Sequence, residues 1–239
     1  MNKRVIIIGA TSGIGREVAN IYIAQGWKVG VAGRRAQELE ALRLTAPEQV
    51  FTQVLDVTED NAQQKLHTLI EQIGSMDVFL LSSGIGKQNY SLQTDIELAT
   101  AATNVEGFIR MTNAAFHYFE KQGHGHLAII SSIAGTKGLG AAAAYSATKR
   151  FQSIYFEALA QMSSIKRKPV DFTAIKPGFI ATDFIKYKYF MTMSLPYAGK
   201  RIVRAIEKRK NNAVIDWRWK IAVALLHLIP TSVWRKIRI

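Results

Sequence analysis

The chain has no cysteine among its 239 residues. That excludes a disulfide framework and a thiolate metal site, and it fits a reducing compartment such as the cytoplasm. Long apolar runs are also missing. No stretch approaches the roughly 20 residues of a membrane-spanning helix. The apolar run behind Lys3-Arg4 is too short for a signal h-region. No internal repeat, low-complexity tract or linker divides the chain. Five histidines, His67, His117, His124, His126 and His227, lack metal-ligand spacing, so no metal is expected, and His124-Gly125-His126 reads as a solvated turn before a strand. Acidic residues are scarce, 18 against 31 Lys and Arg, which leaves a net charge of +13.

What is present alternates between strand and helix. Val5 to Ile8 is a continuous apolar run, as expected of a strand buried on both faces. Strands are also predicted at Lys28–Ala32, Val50–Leu55, Val78–Leu81, Leu127–Ile130 and Val170–Ile175, and helices at Ala36–Leu44 and Ala62–Ile73. This alternation implies an α/β fold: a parallel sheet, helices on both faces, three layers and one domain. A hydrophobic content of 48% supplies a sizeable core for a chain of this length.

Behind the first strand comes Gly9-Ala10-Thr11-Ser12-Gly13-Ile14-Gly15, and then the amphipathic stretch Val18, Ala19, Ile21, Tyr22 and Ile23. Strand, glycine-rich turn and helix together form a cradle for a pyrophosphate, because the glycines let backbone approach the ligand and the helix N-terminus offers free N–H groups. The spacing is G-x-x-x-G-x-G, not the general G-x-G-x-x-G. The second strand ends in Gly33-Arg34-Arg35 with no acidic residue. A carboxylate there would bind ribose hydroxyls, whereas Arg34 suits a 2′-phosphate, with Arg35 assisting or facing solvent.

Tyr145 and Lys149 stand four residues apart in Tyr-Ser-Ala-Thr-Lys, on one helical face. A neighbouring cation favours the phenolate, so the tyrosine pKa is expected to fall and the phenol to become a usable proton shuttle. Ser132 lies thirteen residues upstream.

Gly9, Gly13, Gly15, Asn104, Ser132, Tyr145 and Lys149, in this order, resemble the short-chain dehydrogenase/reductase family of the short, single-domain kind, from about Lys3 to Asp183. The resemblance implies a doubly wound Rossmann-type sheet and hydride transfer between a nicotinamide and a carbonyl or secondary alcohol. It implies Tyr145 as acid or base, Lys149 on the phenolate and the nicotinamide ribose, and Ser132 on the substrate oxygen. It gives Asn104 a water linking Lys149 to solvent. It puts Gly9, Thr11, Ser12, Gly13, Ile14, Gly15, Arg34, Arg35, Asp56, Val57, Gly84, Tyr145, Lys149, Pro177, Gly178 and Thr182 around the cofactor. Arg34 favours NADP(H) over NAD(H). Asp56 either meets the adenine or caps the next turn, and Thr182 meets phosphate or carboxamide. Ser131 is the structural neighbour of Ser132. The family's Asn-Asn-Ala-Gly run is replaced by Leu81-Ser82-Ser83-Gly84. A homodimer or homotetramer is implied by resemblance.

Residues 200–239 form a basic, Trp-containing extension of the domain 1–199. They hold eleven Lys and Arg against two Asp and Glu, a net of +9. Trp217, Trp219 and Trp234 flank the apolar block Ile221–Leu226. Three uses fit: peripheral contact with a membrane surface, packing on the protein itself, or a subunit contact. Nucleic acid is the weaker option, since no recognition motif accompanies the charge. Phe184 to Tyr197, rich in aromatics and methionine, reads as a substrate-facing segment or lid for a hydrophobic substrate. A catalytically silent dinucleotide sensor or membrane scaffold is the alternative function.

Overall fold

The computed structural model describes residues 3–182 and 189–237. The chain runs β1 (Arg4–Ile8), α1 (Gly13–Ala24), β2 (Lys28–Gly33), α2 (Ala36–Thr45), β3 (Val50–Val54), α3 (Ala62–Ile73), β4 (Val78–Leu81) and α4 (Thr94–Ala101). A π-helical turn (Ala102–Gly107) leads into α5 (Phe108–Gln122), β5 (Gly125–Ile130), a 3-10 turn (Ile133–Thr136), α6 (Ala143–Ile165) and β6 (Val170–Lys176). Last come α7 (Leu195–Glu207), β7 (Asn212–Val214), α8 (Trp217–Leu228) and α9 (Thr231–Trp234). The seven strands form one parallel sheet in the order β3-β2-β1-β4-β5-β6-β7, the doubly wound Rossmann arrangement in a single domain.

Both faces of the sheet are buried, which is why its central strands read as unbroken apolar runs. Val5 and Ile7 join Val18 and Tyr22 of α1 and Ile202 of α7 on one face. Ile6 and Ile8 join Leu66 of α3, Phe116 of α5 and Phe156 of α6 on the other. The strand order reverses between β1 and β4, and the crevice beyond their carboxyl ends is where an open α/β sheet holds ligands.

Three local features differ from the sequence reading. β7 is a seventh strand, paired with β6 and too short for a periodicity signal. The helix after α4 widens into the π turn that carries Asn104. There Gly107 packs so closely on Val57 that a Cβ would sit 2.6 Å from its Cγ2. His126 is not in a solvated turn: it lies buried in β5, with Nε2 2.8 Å from Thr173 Oγ1. Burial drives its imidazole pKa down to about 4, with Asp171 opposing and Arg209 reinforcing the shift.

Candidate active site

The glycine turn is built around close backbone contact. Gly9 has φ +89° and lies against the β4 loop, where a Cβ would fall 2.5 Å from Ser83 N. A Cβ on Gly15 would fall 2.2 Å from Gly9 O. Ser82 and Ser83 therefore pack directly on the turn, and Ser82 N donates to Ile8 O at 2.8 Å. Ser12 stands at the N-cap of α1 without a side-chain capping bond, and the first turn holds no acidic residue. Ile14 packs against the core. Together these leave a backbone cradle at a helix N-terminus, which fits a pyrophosphate.

Arg34 and Arg35 diverge. Arg35 reaches back to Thr11 Oγ1, with Nη2 at 3.0 Å and Nε at 3.2 Å. Arg34 remains two-thirds exposed, with Nη1 3.8 Å from Asp56 Oδ2. Asp56 Oδ1 accepts from the Thr58 amide at 3.0 Å and the Thr58 hydroxyl at 2.8 Å, so it does cap the following turn. Burial raises its pKa, but the Thr58 bonds, Arg34 and Lys65 outweigh that and hold it below the usual range.

Segments from the far side of the sheet close on this cradle. Gly13 lies 3.6 Å, measured from the position of a Cβ, from the methyl group of Thr182. Pro177 O accepts from Ile133 N at 3.1 Å, tying the end of β6 to the Ser132 turn. Gly178 lies under the Trp219 indole, where a Cβ would meet the ring at 2.3 Å. Trp219 and Trp234 thus pack inward: Trp219 is buried, its Nε1 donates to Met191 O at 3.3 Å, and Trp234 Nε1 donates to Gly138 O at 2.7 Å. Phe179 stacks on Tyr189 with ring centroids 4.5 Å apart, and Trp219 meets Phe179 edge-on. Of the expected substrate segment, Phe184, Lys186, Tyr187 and Lys188 lie outside the described residues, as does Asp183.

Tyr145 and Lys149 sit one turn apart on α6, with Lys149 Nζ 5.8 Å from the tyrosine ring centroid. The Tyr145 hydroxyl hydrogen-bonds Ser132. The β4 loop presses against both residues. A Cβ on Gly86 would fall 2.3 Å from the Tyr145 ring, and one on Gly84 would fall 3.3 Å from Lys149 Nζ and from Asn104 Oδ1. Ser132 Oγ also accepts from Ala134 N at 3.1 Å. Ser131 is buried and donates to Lys149 O at 3.0 Å, so its hydroxyl is used to brace α6.

One expectation is corrected. The Tyr145 pKa is raised, not lowered: burial is the larger cause, and the Ser132 bond only partly offsets it. Lys149 itself is buried, which brings its pKa down to about 8. A desolvated ammonium near the ring does not outweigh loss of water around the phenol. Asn104 is the remaining residue of the predicted set. It is fully buried: Nδ2 donates to Ile85 O (2.7 Å) and Thr148 Oγ1 (3.1 Å), and Oδ1 accepts from Ile85 N (2.9 Å). A chain of protein hydrogen bonds joins it to Lys149. Lys149 Nζ donates to Ile130 O and to Gln152 Oε1, each at 3.0 Å, and Gln152 Nε2 donates to Asn104 O at 2.9 Å. The sequence reading missed Gln152 and Gly86. The i, i+3 spacing from Lys149 was a signal for the first.

The short chain dehydrogenase family model matches residues 3–190. An uncharacterized oxidoreductase of Mycobacterium tuberculosis is 29% identical over 246 residues, covering 98% of this chain and 96% of its own. Dehydrogenase/reductase SDR family member 7B of Bos taurus is 30% identical over 261 residues, covering 98% of this chain and 80% of its own. Among solved structures, levodione reductase aligns with a TM-score of 0.80 at 23% identity, covering 92% of this chain and 98% of its own. A 3-ketoacyl-(acyl-carrier-protein) reductase from Brucella melitensis, complexed with NADH, aligns with a TM-score of 0.80 at 18% identity, covering 90% and 96%. At these identities the structural likeness speaks to the fold. The parallel sheet, the glycine cradle and the family match lead to one conclusion: the chain belongs to the short-chain dehydrogenase/reductase family and is an NAD(P)-dependent oxidoreductase acting on CH–OH or C=O groups.

Proposed function

We propose that the protein is an NADP(H)-dependent reductase or dehydrogenase of a hydrophobic carbonyl or secondary alcohol, with Tyr145 as its acid and base. The observation that carries this reading is the Ser132–Tyr145 hydroxyl pair, one helical turn from the buried Lys149 and pressed against the β4 loop beside the glycine cradle. Gly9, Thr11, Ser12, Gly13, Ile14 and Gly15 would hold the pyrophosphate, and Asp56, Val57, Gly84, Pro177, Gly178 and Thr182 would line the rest of the cofactor. A bound nicotinamide supplies the hydride. Ser132 orients the substrate oxygen and donates to charge developing there. Tyr145, kept protonated by burial, gives its proton to that oxygen in reduction and takes it back in oxidation. Lys149 supplies the positive charge that steadies the phenolate left behind.

Arg34 supports the 2′-phosphate preference. Its guanidinium is exposed, its contact with Asp56 is long, and no carboxylate stands at the end of β2. Phe179, Tyr189, Met191 and Trp219 support an apolar substrate. The test is a parallel titration of NADPH and NADH, followed by a screen of hydrophobic ketones read as loss of NADPH absorbance. Normal turnover by Tyr145→Phe would sink the mechanism. Tight cofactor binding with no turnover on any ketone would favour the sensor reading. A homodimer or homotetramer is part of the proposal, and light scattering tests it.

A second observation favours seating on an anionic membrane surface. α8 is apolar on both faces. Trp219 turns inward, while Trp217, Ile221, Leu225 and Leu228 form an outward stripe at helical spacing, each more than half exposed. Covering a leucine-sized side chain is worth about 1.5–3 kcal/mol. Beside the stripe, a cleft between α7, β7 and α8 is lined by Arg201, Arg204, Lys208, Lys210 and Lys220. None of these five makes an ion pair with a described residue. Like charges oppose a second copy on this face, whereas anionic headgroups complement it. Flotation with phosphatidylglycerol vesicles but not with phosphatidylcholine vesicles is the expected result; equal flotation with both, or none, would remove the idea.

A further inference from the structure

We propose that Gln152 is a positioning residue for Lys149: its carboxamide clamps the ammonium to the Asn104 carbonyl and fixes where the positive charge stands. The inference rests on the role given to Lys149 above.

The geometry is specific. Gln152 is buried on α6, three residues after Lys149 and on the same face. Its oxygen takes an ammonium N–H at 3.0 Å and its nitrogen gives to Asn104 O at 2.9 Å. The reverse amide orientation would set NH2 against ammonium and oxygen against oxygen, so the chemistry of the partners fixes the side chain's direction. The π turn presents the Asn104 carbonyl to this donor. Asn104 is in turn held on the Ile85 backbone, so α6, the π turn and the β4 loop are joined through one amide.

The surroundings leave few other holds on Lys149. Ile130 O is its second acceptor. Tyr145 is the titratable group that faces it on α6, the 3-10 turn brings the Ser132 hydroxyl, and the β4 loop brings Gly84. Among the described residues no charged side chain contributes to its titration; burial is the cause of the shift. A neutral carboxamide is thus one of two groups that favour the charged form, and it can hold an ammonium without donating or removing a proton in the neutral range.

The test reads Lys149 directly. Lysine labelled with 13C at Cε is titrated by NMR in the whole protein, with Lys149→Met identifying the resonance. The wild type is expected to titrate near pH 8. Gln152→Leu keeps the bulk and removes both bonds, so its midpoint should fall by about one unit or more, the size of a hydrogen bond to a charged group. Gln152→Ala carries the test if the leucine variant does not fold, and its midpoint should fall as well. A midpoint equal to wild type in the variant that folds, with unchanged circular dichroism, overturns the proposal. The same variants are assayed for NADPH oxidation with acetophenone against pH, where the alkaline limb should move down in step. Tyr145→Phe is run alongside: normal turnover there would defeat the catalytic reading, while the NMR midpoint would still decide the role of Gln152.

Discussion

The Lys149 pocket and the α8 face handle their chemistry in opposite ways. In the pocket a cation is taken out of water and held by two neutral acceptors, Ile130 O and Gln152 Oε1, and the Gln152 amide is itself held by Asn104 O. On α8 apolar side chains are left in water beside cations that have no acidic partner among the described residues. The first arrangement is complete within one chain. The second leaves apolar area in water, and the proposed membrane contact rests on that feature.

The contrast can be broken at several points. The largest effect is expected from Tyr145→Phe, which removes the proton without changing the ring's packing on Gly86. Turnover should drop by about 10²–10⁴-fold, with NADPH affinity within a few-fold of wild type by fluorescence titration. Next is the double change Leu225→Asp with Leu228→Asp. It leaves Trp219 on Gly178 and should cut co-flotation with phosphatidylglycerol vesicles by roughly 100-fold while turnover of a water-soluble ketone stays near wild type. Arg34→Ala should weaken NADPH binding by about 10-fold and leave NADH binding nearly unchanged, as two calorimetric titrations would reveal.

The smallest effect concerns acid. Folded His126 stays neutral down to about pH 4, whereas in the unfolded chain it protonates near the ordinary value of about 6.5. Between these values the unfolded state holds more protons, so stability falls as pH falls through that window. His126→Gln should flatten this part of a Tm-against-pH curve; parallel curves would show that His126 contributes nothing.

What could be read from the sequence was what is local. β1, β4 and α3 follow from apolar runs and helical periodicity, and the last two agree residue for residue with their predicted bounds. The glycine turn, Ser132, Tyr145 and Lys149 were visible because their spacing is itself the signal. What was hidden depends on distant partners. Gly86 matters because the Tyr145 ring lies on it, 59 positions later in the chain. Gln152 looks like any helical polar residue until the Asn104 carbonyl is brought to it from 48 positions away. The direction of the tyrosine shift was misjudged because a sequence shows the nearby cation but not the water removed from around the phenol. Trp219 was grouped with Trp217 by composition, and only the fold turns one inward and leaves the other out.

The pairing of β1 with β4 has a consequence for how the molecule comes into being. Val5 lies opposite Val78, and Arg4 N donates to Asp77 Oδ2 across a separation of 73 residues. During synthesis from the N-terminus, β1 and β2 can associate early, but β1 keeps one edge open until β4 has left the ribosome. Until then the central strand presents unpaired N–H and C=O groups on an apolar ribbon, the condition under which strands find wrong partners. Long-range parallel pairing also slows closure of the sheet. β1 is therefore open to wrong pairing until Leu81 has been added, well before Ser132, Tyr145 and Lys149 exist.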